Sequence, residues 1–594
     1  MKPYILPLLL ISVASAADQT FFKDIAVFDG QNYQPRTCVL IESGRIKAIA
    51  PNLQAPDGST IVKGDGHTLL PGLMDAHVHA WFPLHLKQAA EFGVTTSFDM
   101  MTQPAFVRQI KQSQKKNRAD GLSDLFAAGA AVTVKGGHGT EYGFVVPVLD
   151  SADNAQPFID ERLAEGSDYI KLIYDDGKSF GVNFPTLGKD MLGASIQAAH
   201  KRGKLAVVHI GDMESARDAI ELGADALMHL FADQVADDAL IQLMVQKKVR
   251  VVPTMAVLKG VMTDGDIDRL VADKNLTQLL TKGDQAALRR QFPRRKGMAS
   301  KYETAMANVT KMHKAGIPIL VGTDSANPGT SHGMSVHHEL QLLVECGLTP
   351  TNALRGATSK TADLFRLKDR GRIAPGQHAD LLLVRGNPTK DITATRAIVG
   401  VWKAGAVVDL DARRDKVKNE KSDKSAASMG ERLIANFDKK TLTTGFGAGI
   451  QESTDKLFGG SSTVKYVPVD GGANKSAGAL KITGNVREQQ PAYSGIIFYP
   501  ADQLMQPADL SKLPTISFEA KGDDADFNVM VFTQKRGFTP STKSFRAKPE
   551  WNRFTFPLSD FDGSDGSDVL GIFIGSSRPG KFELLVDELK MISK

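Results

Sequence analysis

The fold is decided by one stretch, Pro71-Gly72-Leu73-Met74-Asp75-Ala76-His77-Val78-His79. It is an apolar run that ends in two histidines, and their i, i+2 spacing on a β-strand would place both imidazoles on one face. Two neutral imidazoles can bind one cation. Such a pair of strand histidines is more often not a metal site, so its interpretation depends on the rest of the chain.

Outward from this stretch, apolar runs alternate with helical stretches from about residue 69 to residue 330. We predict eight strands, over residues 69–77, 95–99, 125–134, 168–174, 205–209, 226–229, 249–253 and 317–324. Strands joined by helices predict an α/β protein with a (β/α)₈ TIM barrel, whose catalytic groups lie at the carboxyl ends of the strands.

Lys171 lies within the otherwise apolar strand 168–174. An unpaired lysine would be costly to bury as a cation. Either Lys171 forms a salt bridge with Asp168 or Asp175, or CO₂ carbamylates it and the product binds metal through an anionic oxygen. The spacing alone leaves both interpretations open.

His209, His229 and Asp324 each end a predicted strand. The two histidines are twenty residues apart, as one βα unit requires, and together could bind a second metal. Singly, each could equally be a core or loop histidine. Asp324 could bind metal and carry a proton from the attacking water to the leaving group, or it could cap the next helix.

A glycine-rich segment, residues 136–143, follows the third strand on the catalytic side. Its glycines would let the chain lie close to a ligand, and His138 or Tyr142 could contact the scissile group or its oxyanion. A purely structural turn is the alternative. Thr254 is a candidate for the pocket wall, and His332 is expected in a surface loop.

These residues, with Val321-Gly322-Thr323-Asp324-Ser325 and Gly376-Gln377-His378-Ala379-Asp380-Leu381, resemble the amidohydrolase superfamily over residues 22–410. The similarity is to its imidazolonepropionase-like and Xaa-Pro or Xaa-Arg dipeptidase-related members. The resemblance implies two divalent metals, usually zinc. His77, His79 and Asp324 would bind the more buried ion, and His209 and His229 the outer one. Carbamylated Lys171 and a hydroxide would bridge them.

The resemblance further implies that this site hydrolyses an amide, peptide or cyclic amide bond of a small molecule, with Asp324 as the proton shuttle. No H-x-x-E motif follows His209, so the deaminase branch fits less well. Two alternatives remain. The same site could act on esters or lactones, or the chain could be a non-enzymatic binding protein in which the C-terminal region does the work.

The regions outside the barrel, which we place at residues 71–372, are rich in short β runs. Residues 17–70 and 373–411 predict one composite β-sandwich domain, and the polar residues 412–430 a linker. Residues 431–594 predict an all-β jelly-roll sandwich. Trp551-x-x-Phe554-x-Phe556, residues 572–574 and residues 582–587 resemble the CIA30 family, which implies a glycan- or protein-binding module.

Residues 1–16 have the features of a secretory signal peptide: Lys2, an apolar run and Ala14-Ser15-Ala16. They predict a periplasmic or secreted protein, and the apolar run is too short to span a membrane. The 72 basic and 67 acidic residues leave a net charge of +5, which is no argument for nucleic acid binding. Cys38 and Cys346 are predicted to be buried free thiols.

Overall fold

The computed structural model describes residues 19–140, 146–263, 267–291, 298–422, 431–455, 461–488, 492–501, 507–536 and 540–593. The predicted signal peptide and Tyr142 lie outside these residues. Five strands come first: β1 (Gln19–Phe28), β2 (Tyr33–Glu42), β3 (Arg45–Ala50), β4 (Thr60–Lys63) and β5 (His67–Pro71). Strand β1 pairs antiparallel with β2 and parallel with β4 and β5.

Seven strands then pair in parallel: β6 (Leu73–Val78), β7 (Val94–Asp99), β8 (Asp124–Ala127), β9 (Ile170–Tyr174), β10 (Ala206–Ile210), β11 (Ala226–Met228) and β12 (Arg250–Val252). They form two sheets, β6-β7-β8 and β9-β10-β11-β12. Single bridges join the sheets and the chain near residue 320: Val132 with Leu172, Val251 with Ile319, and Val78 with Ser325. The parallel pairs and the single bridges together therefore form a closed ring that begins and ends at β6.

The eighth predicted strand, 317–324, differs from the expectation, because only isolated bridges form along it. Its backbone still joins β6, since the amide of Ala76 donates to the carbonyl of Val321 at 2.8 Å. Asp324 has a left-handed φ of 57°, and the bridge of Val78 with Ser325 follows it directly. The backbone therefore departs from strand geometry at Asp324.

Helices connect and cover the parallel strands: α1 (Pro83–Glu91), α2 (Pro104–Lys116), α3 (Ala155–Glu165), α4 (Lys189–Lys201), α5 (Met213–Glu221), α6 (Asp238–Lys247), α7 (Met255–Met262), α8 (Ile267–Val271), α9 (Lys282–Arg289), α10 (Met298–Lys314), α11 (Met334–Glu345), α12 (Pro350–Gly356) and α13 (Ser359–Leu364). Aspartates begin two of them, since Asp212 caps α5 and Asp237 caps α6 through their side chains. Strand residues such as Val208 and helix residues such as Ile220 share one buried core.

Three later strands, β13 (Leu381–Arg385), β14 (Ile398–Lys403) and β15 (Ala406–Val407), return to the first sheet. Strand β13 pairs antiparallel with β5, so strands from both sides of the parallel region form one eight-stranded sheet. A buried ion pair attaches this sheet to the parallel strands, because Lys403 of β14 reaches Asp124 at 3.0 Å. Arg370, from the segment before β13, reaches the same carboxylate at 2.6 Å. Asp124 begins β8, so the attachment lies at the amino ends of the parallel strands.

Helix α14 (Leu410–Ser422) occupies the first part of the segment expected to be a linker, and residues 423–430 lie outside the described part of the chain. Its Arg413 is buried and pairs with Glu91 and Asp284. The guanidinium needs these two carboxylates because an unpaired buried charge would be costly. The start of the segment is therefore packed structure.

The C-terminal strands are β16 (Glu431–Ala435), β17 (Gly449–Thr454), β18 (Thr463–Asp470), β19 (Gly478–Val486), β20 (Ser494–Tyr499), β21 (Thr515–Gly522), β22 (Ala525–Thr533), β23 (Ser541–Ala547), β24 (Asn552–Pro557), β25 (Val569–Ser576) and β26 (Gly580–Ile592). They form two antiparallel sheets, one ordered β18-β19-β26-β21-β24 with β16 beside β26, the other β17-β20-β25-β22-β23. Residues of both sheets share one hydrophobic core.

A second apolar cluster connects this C-terminal region to the parallel strands. Phe82 and Leu84, which follow β6, pack against Ile497, Tyr499 and Phe573. Elsewhere, Cys38 and Cys346 are buried free thiols, as predicted. No helix within the described ranges combines the length and the hydropathy that a membrane span needs.

Candidate metal centre

All six predicted ligands line one cavity: His77, His79, Lys171, His209, His229 and Asp324. Five of them lie at or near the carboxyl end of a parallel strand, or of the extended segment that precedes Asp324, whereas Lys171 is the second residue of β9. His138 lines the same cavity, and its ring centroid lies 5.0 Å from that of His209. Tyr142, the other predicted contact, is not among the described residues.

The first histidine is fixed by a buried carboxylate. Asp75 accepts hydrogen bonds from the amides of His77 and Thr323 at 3.2 and 3.0 Å, and from the Thr323 hydroxyl at 2.6 Å. Gly322 allows the close approach, because a Cβ there would lie 2.9 Å from the Cβ of His77. These contacts bring the end of β6 beside Asp324.

Asp324 lies between three of the imidazoles. Its Oδ1 is 3.4 Å from Nε2 of His77 and 3.0 Å from Nε2 of His79, and its Oδ2 is 4.0 Å from Nδ1 of His229. Both His229 and Asp324 have positive φ, 68° and 57°. Strained non-glycine backbone of this kind concentrates at functional sites.

The remaining histidines are oriented by polar partners. Nε2 of His209 lies 3.2 Å from Oδ2 of Asp175, and Nδ1 of His229 lies 2.8 Å from the hydroxyl of Thr254. In each ring the second nitrogen stays available for a ligand, which is how metal-binding histidines are commonly held. The centroids of these two rings are 4.4 Å apart.

Burial determines the charge of the imidazoles. It lowers the pKa of His77, His209 and His229 well below the usual value, with further lowering from neighbouring basic groups. Burial also lowers the pKa of His79, but the contact with Asp324 outweighs this effect and the net shift is upward. Three of the rings are therefore neutral, the form in which histidine binds metal.

Lys171 is buried and makes neither of the salt bridges considered from the sequence. Asp168 pairs with Lys111 at 2.7 Å, and Asp175 contacts His209. None of the described carboxylates lies within 4.0 Å of the Lys171 amine. Burial lowers its pKa to about 7, so a large fraction of the amine is uncharged near neutral pH. An uncharged amine can react with CO₂.

Several buried polar atoms of the centre lack well-directed hydrogen bonds, namely both ring nitrogens of His77 and Oδ1 of Asp324. Such atoms are rare in folded proteins and call for an explanation such as a bound ion. His77, His229 and Asp324 offer ligand atoms within 4.8 Å of one another. The donor set therefore fits a divalent cation. The trio differs from the expected division of ligands, in which His77 and Asp324 bind one ion and His229 binds the other.

Two residues of the site were not predicted from the sequence, Asp175 and Asn327. Asp175 follows β9 directly, so its position at a strand end was the available signal. Asn327 lines the cavity from the turn after Asp324.

The expectation for His332 was wrong, because His332 is buried and its ring centroid lies 4.3 Å from that of His85, on which it stacks. The next residue, Gly333, packs closely against Ala89 of α1, and this contact places His332 in the interior.

Comparison with known proteins gives two family matches. Residues 68–410 match the model of the amidohydrolase family, and residues 436–586 match that of complex I intermediate-associated protein 30 (CIA30). The chain is 26% identical to the imidazolonepropionase of Salinispora tropica over 363 residues, which is 58% of this chain and 85% of that protein.

Solved structures show the same fold. A Xaa-Pro dipeptidase with bound methionine in the active site superposes with a TM-score of 0.54 at 24% identity, covering 66% of this chain and 99% of that one. Phenylurea hydrolase B gives a TM-score of 0.53 at 20% identity, covering 66% and 97%. These likenesses indicate a TIM barrel for the parallel-stranded region.

Proposed function

Because the chain belongs to the amidohydrolase family, we propose that it hydrolyses an amide, peptide or cyclic amide bond at a centre for two divalent metals. It is a hydrolase that acts on carbon–nitrogen bonds. The observation that carries the proposal is the convergence of six candidate ligands from five separate segments of the chain on one cavity. Similar proteins include an imidazolonepropionase and a Xaa-Pro dipeptidase, so we propose a dipeptide-like or imidazolonepropionate-like substrate.

We assign His77, His79 and Asp324 to one ion, and His209 and His229 to the other. Lys171, carbamylated by CO₂, would serve as the ligand common to both. When bound, divalent cations supply Lewis acidity and lower the pKa of water, and zinc is the ion we propose. The buried atoms of His77 and Asp324 that lack well-directed hydrogen bonds support this assignment.

The side chains have separate tasks in this proposal. Asp324 accepts a proton from water at a carboxylate oxygen and returns it to the leaving nitrogen, since general acid–base groups must lie beside the reacting atoms. His138 lines the cavity beside His209 and would donate a hydrogen bond to the scissile carbonyl oxygen. Asp175 and Thr254 hold His209 and His229 in position.

We also make proposals for the two regions outside the metal centre, the N-terminal segment and the C-terminal region. Residues 1–16 support export to the periplasm or the medium. The C-terminal region, which we propose has jelly-roll connectivity, matches the CIA30 family and could bind a glycan or a protein. Its packing against Phe82 and Leu84 also makes it part of the same folded body as the centre.

A library of dipeptides, N-acyl amino acids and matched esters tests the reaction, using full-length protein with and without added zinc. We expect zinc-dependent hydrolysis of amides, lost on chelation and restored by metal. Hydrolysis confined to esters or lactones would contradict the amide assignment. Amide hydrolysis that is indifferent to thorough chelation would contradict the metal centre.

A further inference from the structure

A second cavity, of about 270 Å³, adjoins the metal centre. His138, His209, His229 and Asp324 form its floor, so a substrate held at the centre would extend into it. Its volume is at the small end for ligand pockets, suited to a single side chain rather than a long polymer.

One wall is the loop that follows β9. Phe180, Val182 and Phe184 line the cavity from this loop. Gly177 makes the arrangement possible, because it has a φ of 76° and a Cβ there would lie 2.4 Å from Val182 and 2.9 Å from Phe184. The Gly177 amide also donates to Asp175 at 2.9 Å, which links the wall to the carboxylate that orients His209.

The opposite wall is one face of helix α7. Val257, Leu258 and Val261 line the cavity, with the i, i+4 spacing that places the first and last on the same face. Glu339 fixes the start of this helix, since its carboxylate accepts from the amides of Met255 and Ala256 at 3.0 and 2.7 Å. Both walls are therefore apolar and held in place.

The charges of the lining oppose an anionic occupant. Within the described part of the chain, no lysine or arginine lines this cavity, and its carboxylates belong to Asp175 and Asp324. Between the loop and α7, a carboxylate group would lose water without gaining a lysine or arginine partner among the described residues. An apolar group would gain about ten- to hundredfold in binding from the burial of its surface.

We infer that this cavity is a specificity pocket for an uncharged, apolar substituent of aromatic or branched aliphatic size next to the scissile amide. The inference rests on the proposed amide hydrolysis and names its substrate class. It assigns the preference to Phe184 on the loop and to Val257, Leu258 and Val261 on α7.

Dipeptides Xaa-Gly and Gly-Xaa, with Xaa as leucine, phenylalanine, aspartate or lysine, test the preference on the zinc-loaded full chain. At one of the two positions we expect kcat/KM for leucine or phenylalanine to exceed that for aspartate about ten- to hundredfold. Equal or higher values for aspartate at both positions would overturn the inference while leaving amide hydrolysis intact.

Variants locate the preference. Val261→Asp should lower kcat/KM for the leucine substrate at least about tenfold, and the milder Phe184→Leu should narrow the ratio of phenylalanine to leucine. Val245→Asp, on the exposed face of α6, is the matched control and should change neither value. If Val261→Asp and Phe184→Leu both keep the wild-type ratios, the pocket is assigned wrongly.

Calorimetric binding separates this inference from the proposed function. We expect N-acetyl-leucine to bind more tightly than N-acetyl-aspartate, and Val261→Asp to abolish the difference. Binding with this preference but no hydrolysis of any amide would contradict the proposed function and support the pocket. Amide hydrolysis together with tighter binding of N-acetyl-aspartate would support the proposed function and contradict the pocket.

Discussion

The parallel-stranded region and the C-terminal sheets both bury carboxylates, but they satisfy them differently. In the C-terminal region Asp455 accepts from the amide and hydroxyl of Ser462 at 3.0 and 2.5 Å. In the parallel region Oδ1 of Asp324 lies 3.0 Å from Nε2 of His79 without a well-directed hydrogen bond, and neither ring nitrogen of His77 makes one. A buried carboxylate with partners supports a fold, whereas one without them costs stability unless a ligand completes it. The difference assigns the chemistry to the parallel region.

The largest effect should come from Lys171→Ala. Removing the only lysine that lines the cavity among the described residues should lower turnover by about a thousandfold or more, on the scale seen when a central catalytic group is lost. Metal content should fall with it, and short carboxylic acids should restore part of the activity. Full activity in this variant would exclude the bridging role.

A smaller loss, about a hundredfold in kcat, is expected for Asp324→Asn because it removes the proton-accepting oxygen. The matched variant Asp455→Asn should keep kcat and instead lower the free energy of unfolding by about 1–3 kcal/mol. Kinetics and urea titrations of both variants measure the contrast. Equal kcat losses in the two variants would contradict the assignment of catalysis to the parallel-stranded region.

The contact between the two regions gives the next prediction. Tyr499 packs toward Phe82, with ring centroids 6.3 Å apart, whereas its neighbour Phe498 lies in the core of the C-terminal sheets. Tyr499→Ala should speed hydrogen exchange in residues 79–85 and lower activity severalfold, and Tyr499→Phe should restore both. Phe498→Leu, the control, should leave that exchange unchanged. Unchanged exchange in Tyr499→Ala would show that the contact does not hold the loop after His79.

This contact also changes the expectation for removing residues 430–594. A C-terminal region without such a contact would be dispensable for the turnover of small substrates. In the structure its removal would expose Phe82 and Leu84, which follow the first two histidines directly. We therefore expect the truncated chain to lose soluble expression, which makes point variants the better test.

The smallest effect concerns pH. Burial raises the pKa of Glu339 from its usual value of 4.5 to about 8. The folded state therefore holds this proton more tightly than the unfolded state, so the contribution to stability is complete below pH 4.5 and is lost as pH rises through about 8. Glu339→Gln should flatten the fall in urea midpoint between about pH 5 and 8.5. Glu345→Gln, exposed on the same helix, should not.

The sequence predicted that the six candidate ligands come together, because most of them stand where an apolar run stops, as His209 and His229 do. It could not predict contacts between distant segments. Arg413 lies in a polar stretch that suggested a linker, yet it is buried against Glu91 and Asp284, far away along the chain. His332 was likewise assigned to the surface because its burial depends on the packing of α11 against α1.

Anomalous X-ray diffraction at the zinc absorption edge, on crystals of the full chain grown with zinc, tests the metal centre most directly. We predict two peaks in the cavity, one beside His77, His79 and Asp324 and one beside His209 and His229, with added density on the Lys171 amine between them. Zinc-loaded crystals with no peak among these six side chains would contradict the account.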